Sequence, residues 1–549
     1  MTCVAEQPDL NDADVENLFI SLQESDEHKL ANNIQSLGDL AMKESNRTLI
    51  GQDRKIVEKL ISFLSPVLST QIVLFAARAL GNMCHQNEKN QKILVELDLP
   101  SHLLELMKSV SDVGIIGNAM AALVNVSSNA SDDFCEELGE KGAVDIIVSL
   151  LNSADEFVVV MSIRALLNLI SERNKEKYVN ADCYKKIVHL IFNSPSSVIR
   201  SDALTAMVTV TEHSEEHLVQ FALQDDNLEK LYKIAREDSD RTVQTNAWAF
   251  FALLAGNAKI QEIFYSKQIL KTLLSDTSKT EDAVSLAATL QIIGLLAVNE
   301  KNMDLIFTSL DLFMNLTKHD DPYVKSNTAM VLANICRKDE YCSRMAQEGA
   351  VPILKELCNQ EARTQQLSLS ALRNLSIPAV TKEFVLNEEG MLELLNRLLV
   401  ESANGQVLFN CVLILKNLAL GSEKFTQKII EADSIPQVEK LLRRDLEEGL
   451  ERVKFEAARL MVAVAATNPT NLDFVMGHGG AKALQILLST NFELLHMEAV
   501  RILTFACTKS KYKCCIEEEK VPQELEKLLN SNNALRPVIQ NILSSLSAL

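Results

Sequence analysis

The chain has 549 residues, with 54 Lys plus Arg against 74 Asp plus Glu, a formal charge of −20. Apolar residues make up 47%, enough for a large core and against general disorder, while 17 Gly and 11 Pro are too few turn formers for the many short strands of a β-sandwich or barrel. The net acidity disfavours a general nucleic-acid binder and favours basic partners.

In chain order, residues 1–28 hold eight acidic side chains and no Lys or Arg, a segment expected either to cap the fold or to trail from it as a tail. It has no basic or long apolar stretch, so no signal peptide is expected, and no apolar run in the chain nears the ~18 residues of a membrane span. From residue 29 the pattern turns periodic. Arg78-Ala79-Leu80-Gly81-Asn82, Arg164-Ala165-Leu166-Leu167-Asn168, Val331-Leu332-Ala333-Asn334, Leu372-Arg373-Asn374-Leu375 and Leu415-Lys416-Asn417-Leu418 each close an amphipathic helix. Asp39, Asn82, Asn125, Asn168 and Thr211 are each 43 residues apart. A second landmark keeps phase: a Gly opens an apolar helix in Gly142-Ala143-Val144, Gly349-Ala350-Val351-Pro352 and Gly390-Met391-Leu392, with Gly480-Ala481 and Ser434-Ile435-Pro436 as variants. Gly ends one helix and Pro is tolerated in the first turn of the next, so each landmark predicts a sharp bend. A short helix, a bend, a second helix and a long third helix closing on Asn is the armadillo pattern. The predicted fold is therefore all-α: a right-handed superhelical armadillo solenoid of about eleven repeats. Residues 29–549 form one continuous array in this reading, with an irregular repeat near 297–334, where the spacing is several residues short.

His213-Ser214-Glu215-Glu216-His217 matches the H-x-x-E-H zinc-peptidase pattern, but it begins where a repeat's third helix ends, so a solvated turn is expected there and no metal site. No phosphate loop, dinucleotide fingerprint or nucleophile elbow is present, and no catalytic constellation or cofactor is predicted. Eleven Cys without a C-x-x-C pair read as reduced core residues. Cys514-Cys515 lies among Lys509, Lys511 and Lys513, which could lower a thiol pKa, although two cysteines on a terminal helix are the simpler reading.

Two features point to binding. A row of asparagines in a groove can grip an extended backbone, or each can tie its helix to a neighbouring repeat, and the sequence leaves both open. Acidic residues cluster at Glu212, Glu215 and Glu216, then Asp225, Asp226 and Glu229, then Glu237, Asp238 and Asp240. Such charges are either a solvated face or, if concave, a trap for a basic tail. Trp248, the single Trp, is followed four positions later by Ala252, which excludes the repeated Trp–Asn pairs of nuclear-import receptors; a catenin-type basic groove is opposite in charge.

Ala371-Leu372-Arg373-Asn374-Leu375-Ser376-Ile377-Pro378, together with 74–84 and 329–337, resembles the Smg-type GDP-dissociation stimulators of small GTPases, as a divergent, invertebrate-type member. That resemblance implies a guanine-nucleotide exchange factor and chaperone, without catalytic chemistry, for Rho-, Rap- or Ras-type GTPases with polybasic, prenylated tails. It places GTPase binding at Asn334 and Asn374, with Asn327, Ser370 and Arg373, and tail binding at Glu212, Glu215, Glu216, Asp225 and Asp226. It further implies a cytoplasmic location, contact with endoplasmic reticulum or mitochondria through partners, a link to mitochondrial-type GTPases, and a prenyl pocket between N-terminal repeats. The rival readings are a non-exchanging adaptor that sequesters prenylated GTPases and a generic scaffold for a basic partner.

Overall fold

The structure is a computed structural model and describes residues 9–171, 173–174, 181–212, 214–224, 226–420, 422–444, 451–531 and 535–548. Among these every regular element is helical. The chain divides into two compact units, residues 1–263 and 264–549.

In the first unit the long helices Glu27–Leu40, Thr70–Cys84, Val113–Val126, Glu156–Leu169, Ser197–Glu212 and Arg241–Gly256 each pack on the next. In the second, Ala283–Leu296, Pro322–Ile335, Ala362–Leu375, Gly405–Ala419, Glu451–Ala465 and Glu493–Ala506 do the same. Apolar residues three and four apart face the interior: in Thr70–Cys84, Val73, Ala76, Ala77, Leu80 and Cys84 are all buried. No single repeat could bury that face alone, so stacking supplies the core.

Many of the acidic residues serve the helices themselves. Asp26, Asp112, Asp155, Asp240, Asp282 and Asp321 are N-caps of long helices, each accepting a backbone N–H of the first turn. A carboxylate there also meets the positive end of the helix dipole.

The glycine landmarks are bends in the left-handed region. Gly142, Gly349, Gly390 and Gly479 have φ of 89°, 86°, 71° and 79° and immediately precede the second helix of their repeats. The last of these helices starts at Gly480, so the strained position is one residue earlier than the sequence motif suggested. In other repeats Asp98, Asp226, Gln268 and Asp433 take the same position with φ of 54° to 64°, a substitution the glycine pattern does not reveal.

Asp12–Ser21 is a helix with a capping box from Asn11 and Asp14. It packs on the first repeat through Val15 and Leu22, while Asp9 pairs with Lys43 and Asn46 accepts the Leu10 N–H. Of the expected acidic segment, residues 1–8 lie outside the described residues. The short-spaced repeat near 297–334 keeps three helices, Glu300–Phe307, Leu310–Leu316 and Pro322–Ile335, and its second helix has only 7 residues.

Gly349 isolates the backbone cost of the bend, because an added Cβ would meet nothing within 4 Å. Gly349→Ala is expected to lower unfolding free energy by about 1–2 kcal/mol, and Gly349→Asn by less, since Asn tolerates the left-handed region. Urea unfolding followed by far-UV circular dichroism checks this; equal loss for both variants would mean that space, not φ, governs the position.

Candidate functional site

The asparagines form a ladder between successive long helices. The Nδ2 of Asn82 donates to Gly38 O at 2.9 Å, Asn125 to Gly81 O at 3.0 Å, and Asn168 to Val124 O at 2.9 Å. In the second unit Asn334 donates to Gly294 O at 2.9 Å, Asn374 to Ala333 O at 3.1 Å, and Asn417 to Ser376 Oγ at 3.0 Å. Gly38, Gly81, Val124, Gly294 and Ala333 lie in the last turns of their helices, where carbonyls lack an intrahelical N–H. Each amide therefore caps the helix of the repeat before it. Small residues let the helices come this close: a Cβ on Gly81 would stand 3.3 Å from Ala122 Cα.

Asn334, Asn374 and Arg373 line one open cavity of about 530 Å³, together with Ala333, Cys336, Arg337, Asp339, Cys342, Ile377 and Pro378. Asn374 Oδ1 accepts from Arg373 at 3.2 Å, so both ends of its amide have partners. Among the described residues Asn334 has one partner, at Nδ2, and its Oδ1 accepts no hydrogen bond from them. Arg373 also donates to Asn410 Oδ1 at 3.2 Å, and Asn410 donates to Ser370 Oγ at 3.0 Å, which joins Ser370 to the same network. Burial and the neighbouring Arg452 hold the Arg373 guanidinium below its ordinary pKa. Asn327 is placed differently: it is 4% exposed, donates to Ala287 O at 2.7 Å and accepts from Arg363 at 3.1 Å. Its amide is engaged at both ends within the protein. Cys336, Arg337, Cys342, Ile377 and Pro378 also line the cavity without having been singled out by the asparagine pattern, although four of them lie within the quoted motifs and only Cys342 outside.

The acidic candidates do not form one patch. Glu212 ends the long helix Ser197–Glu212, and Glu215 and Glu216 open the helix Glu215–Leu223. Asp226 lies beyond the far end of that 9-residue helix, which at ~1.5 Å per residue puts it roughly 14 Å away. Asp225 and His213 lie outside the described residues. Glu215 is already paired with Lys259 Nζ at 2.5 Å and accepts from Asn257, hydrogen bonds that hold its carboxyl below the ordinary range. Glu212 and Glu216 are exposed, and neither is ion-paired among the described residues. The later acids are structural: Asp238 takes Arg200 in a two-pronged pair at 2.9 and 3.0 Å, and Asp240 caps the next long helix. Of the former zinc-like motif, His217 Nδ1 lies 2.7 Å from Ser214 Oγ and its ring rests on Tyr184.

Charge divides unevenly along the chain. Residues 1–263 contain 39 acidic and 23 basic side chains, and residues 264–549 contain 35 and 31. The acidic excess thus belongs to the first unit. That unit also holds an open, mostly apolar cavity of about 520 Å³, lined by Val95, Val126, Ala130 and Phe134 with Gln91 and Lys92 among its polar residues. Trp248 is 8% exposed and packs edge-on against Tyr232, so it is a core residue. Among the described cysteines eight are buried, and none is in a disulfide. The possibility of a lowered thiol pKa at Cys514-Cys515 is corrected. Lys509 and Lys511 both turn to Asp473, while Glu518 beside Cys514, and burial at Cys515, push these thiols up.

No family model matches the chain. It is 22% identical over 431 residues to "Darlin" of Dictyostelium discoideum, covering 64% of this chain and 55% of that protein. It is 22% identical over 336 residues to Rap1 GTPase-GDP dissociation stimulator 1-A of Xenopus laevis (58% and 49%), and over 409 residues to GTPase-GDP dissociation stimulator vimar of Drosophila melanogaster (72% and 58%). The chain thus spans about half the length of the curated relatives it matches. A chain from a solved structure on the phosphorylation switch between cadherin and beta-catenin aligns with a TM-score of 0.53 at 14% identity, over 96% of this chain and 100% of that one. This likeness concerns the fold, and it agrees with the stacked repeats: both units are helical-repeat solenoids of the armadillo kind. With the motif resemblance and these relatives together, the chain is a distant homologue of the Smg-type GDP-dissociation stimulators.

Proposed function

We propose that this chain is a guanine-nucleotide exchange factor and chaperone for small GTPases with polybasic, prenylated C-termini, of Rap, Rho or Ras type. The observation that carries the reading is the convergence of Asn334, Asn374 and Arg373 on one open cavity, in a homologue of proteins named as GDP dissociation stimulators. The acidic excess of residues 1–263 supports capture of a lysine-rich tail, with Glu212 and Glu216 as the groups left to receive it. The apolar cavity beside Phe134 supports a shelter for a prenyl chain, which must be kept from water. A cytoplasmic site of action, with contact to endoplasmic reticulum or mitochondria through partners, and service to mitochondrial-type GTPases belong to the same proposal.

The mechanism needs no bond chemistry and no cofactor. A protein that binds a nucleotide-free GTPase more tightly than its GDP form must weaken GDP binding by the same factor. Asn334 Oδ1 and the Arg373 guanidinium would hold the switch segment displaced, and GDP then leaves. One observation favours a second reading: both amides already tie helices together, which suits an adaptor that sequesters prenylated GTPases without exchange.

Release of a fluorescent GDP analogue from a Rap-type GTPase bearing its polybasic tail separates these readings. Acceleration by the chain is expected, and Asn334→Ala with Asn374→Ala is expected to reduce it about tenfold or more, at ~1 kcal/mol per lost hydrogen bond. Full acceleration by that double variant would overturn the assigned role of the asparagines. Tail-dependent binding without acceleration would establish the adaptor, and no binding would leave a scaffold for another basic protein.

A separate measurement addresses the tail. Glu212→Lys with Glu216→Lys is expected to weaken tail-dependent binding severalfold at low salt, each exposed pair being worth roughly 0.2–1 kcal/mol, with the difference shrinking as salt rises. Unchanged affinity at low salt would place the tail elsewhere.

A further inference from the structure

Cys336 and Cys342 sit where two helices meet beneath the cavity that holds Asn334 and Asn374. Cys336 ends the long helix Pro322–Ile335, and Cys342 lies in the first turn of Asp339–Gln347. Their sulfurs are 3.3 Å apart, and both residues line the cavity. Cys336 Sγ lies 3.9 Å from Ala371 O and Cys342 Sγ lies 4.0 Å from Asn374 O, so the pair also touches the long helix of the next repeat. Neither the ladder nor the proposed exchange mechanism uses them.

We propose that Cys336 and Cys342 are a reversible dithiol–disulfide site whose oxidation by a peroxide reshapes the Asn334–Asn374 cavity. Cys342 reacts first. Its thiol is held below the ordinary value by the hydrogen bond with Cys336, while that bond and burial push Cys336 up. Cys342 is itself only 2% exposed, so the hydrogen bond to Cys336 is what sets it apart from buried Cys84 and Cys358, which burial pushes up to about 12 and which are poor nucleophiles. The Cys342 thiolate attacks one peroxide oxygen, the O–O bond breaks, and the departing hydroxide takes up the proton Cys342 had released, leaving a sulfenic acid. Cys336 sulfur then attacks the Cys342 sulfur, the S–O bond breaks, and hydroxide leaves as water with the Cys336 proton. Two thiols are oxidised to one disulfide and one peroxide is reduced to two waters.

The geometric consequence follows from bond length. Closing the sulfurs from 3.3 Å to about 2.05 Å draws the first turn of Asp339–Gln347 toward the end of Pro322–Ile335 and away from the Asn374 carbonyl. A shift near 1 Å in a cavity wall suffices to spoil a fitted contact. The consequence for partner binding rests on the proposed reading of this cavity as the GTPase-binding surface; formation of the bond does not.

The test treats the full chain with hydrogen peroxide in native buffer, blocks remaining thiols with an alkylating agent under denaturing conditions, and maps tryptic peptides without reduction. Cleavage at Arg337 and Lys338 separates the two cysteines, so a linked pair of peptides 326–337 and 339–344 is expected, and it should vanish with dithiothreitol. Recovery of both cysteines alkylated would overturn the proposal. The same samples are then tested for binding a tail-bearing Rap-type GTPase. Oxidised wild type is expected to bind about fivefold or more weakly than reduced, with Cys342→Ser and Cys342→Ala insensitive to peroxide. A crosslink with unchanged affinity would overturn the effect on the cavity. A crosslink in a chain whose reduced form binds no GTPase would overturn the proposed function and leave the dithiol site standing.

Discussion

Each long helix of these stacks leaves carbonyls in its last turn that its own N–H groups cannot reach, and the fold depends on how they are satisfied. Where an asparagine closes the following long helix, the next repeat supplies the donor. Asn82, Asn125, Asn168, Asn334 and Asn374 each hand one amide hydrogen to a carbonyl 40 to 44 residues earlier, at 2.9 to 3.1 Å. The contact fixes the lateral approach of two helices and their register together, because a slide along the axis would leave the carbonyl half-buried and unpaired. Glycine at 38, 81 and 294 is part of the same arrangement, since the accepting carbonyl must be approached closely. Repetition of one local contact is how an array with no central core acquires a defined geometry.

The same constraint limits what the cavity can offer a partner. Asn374 has both amide ends engaged and Asn334 has one among the described residues, so the available polar atoms are few: Asn334 Oδ1, the second amide hydrogens, the Arg373 and Arg337 guanidinium edges and the Asp339 carboxylate. Charge is similarly committed. Asp240 and five other acids cap long helices, and Asp238 is locked to Arg200, so the formal charge of −20 overstates what faces a ligand. Among the acidic candidates, Glu212 and Glu216 remain exposed and without an ion pair among the described residues, whereas Glu215 is paired with Lys259.

The repeat was legible in the sequence because its requirements are stringent at single positions. Only a side-chain amide of the right length bridges to the previous helix, and only a residue tolerant of positive φ starts the second helix, so Asn and Gly recur in phase. Where a requirement can be met in several ways, the signal fades. Asp98, Asp226 and Asp433 occupy the glycine position, and the N-cap aspartates look in sequence like any surface acid. The candidate site was less legible still. Asn327 resembles Asn334 in sequence but is buried with both amide ends engaged, a difference of helix face fixed by packing. Lys382, also buried, donates to Asn417 O at 2.6 Å, and burial holds its pKa below the ordinary value; nothing around it in the sequence distinguishes it from a surface lysine. Cys336 and Cys342 are six residues apart, a spacing without a motif, and the turn between two helices makes them neighbours.

Placing a binding surface on the residues that also join the repeats has an energetic consequence. A partner that draws on the Asn334 or Asn374 amide competes with a hydrogen bond worth about 1 kcal/mol net. Binding and the local spacing of Pro322–Ile335 and Ala362–Leu375 are therefore linked: whatever moves these helices apart changes affinity, and whatever grips the amides loosens the helices by the same free energy. Such coupling lets a small displacement at one joint reach the cavity without a second domain or a hinge. The spare Oδ1 of Asn334 sets the opposite limit, because a partner confined to it would leave the ladder intact and the helices unmoved.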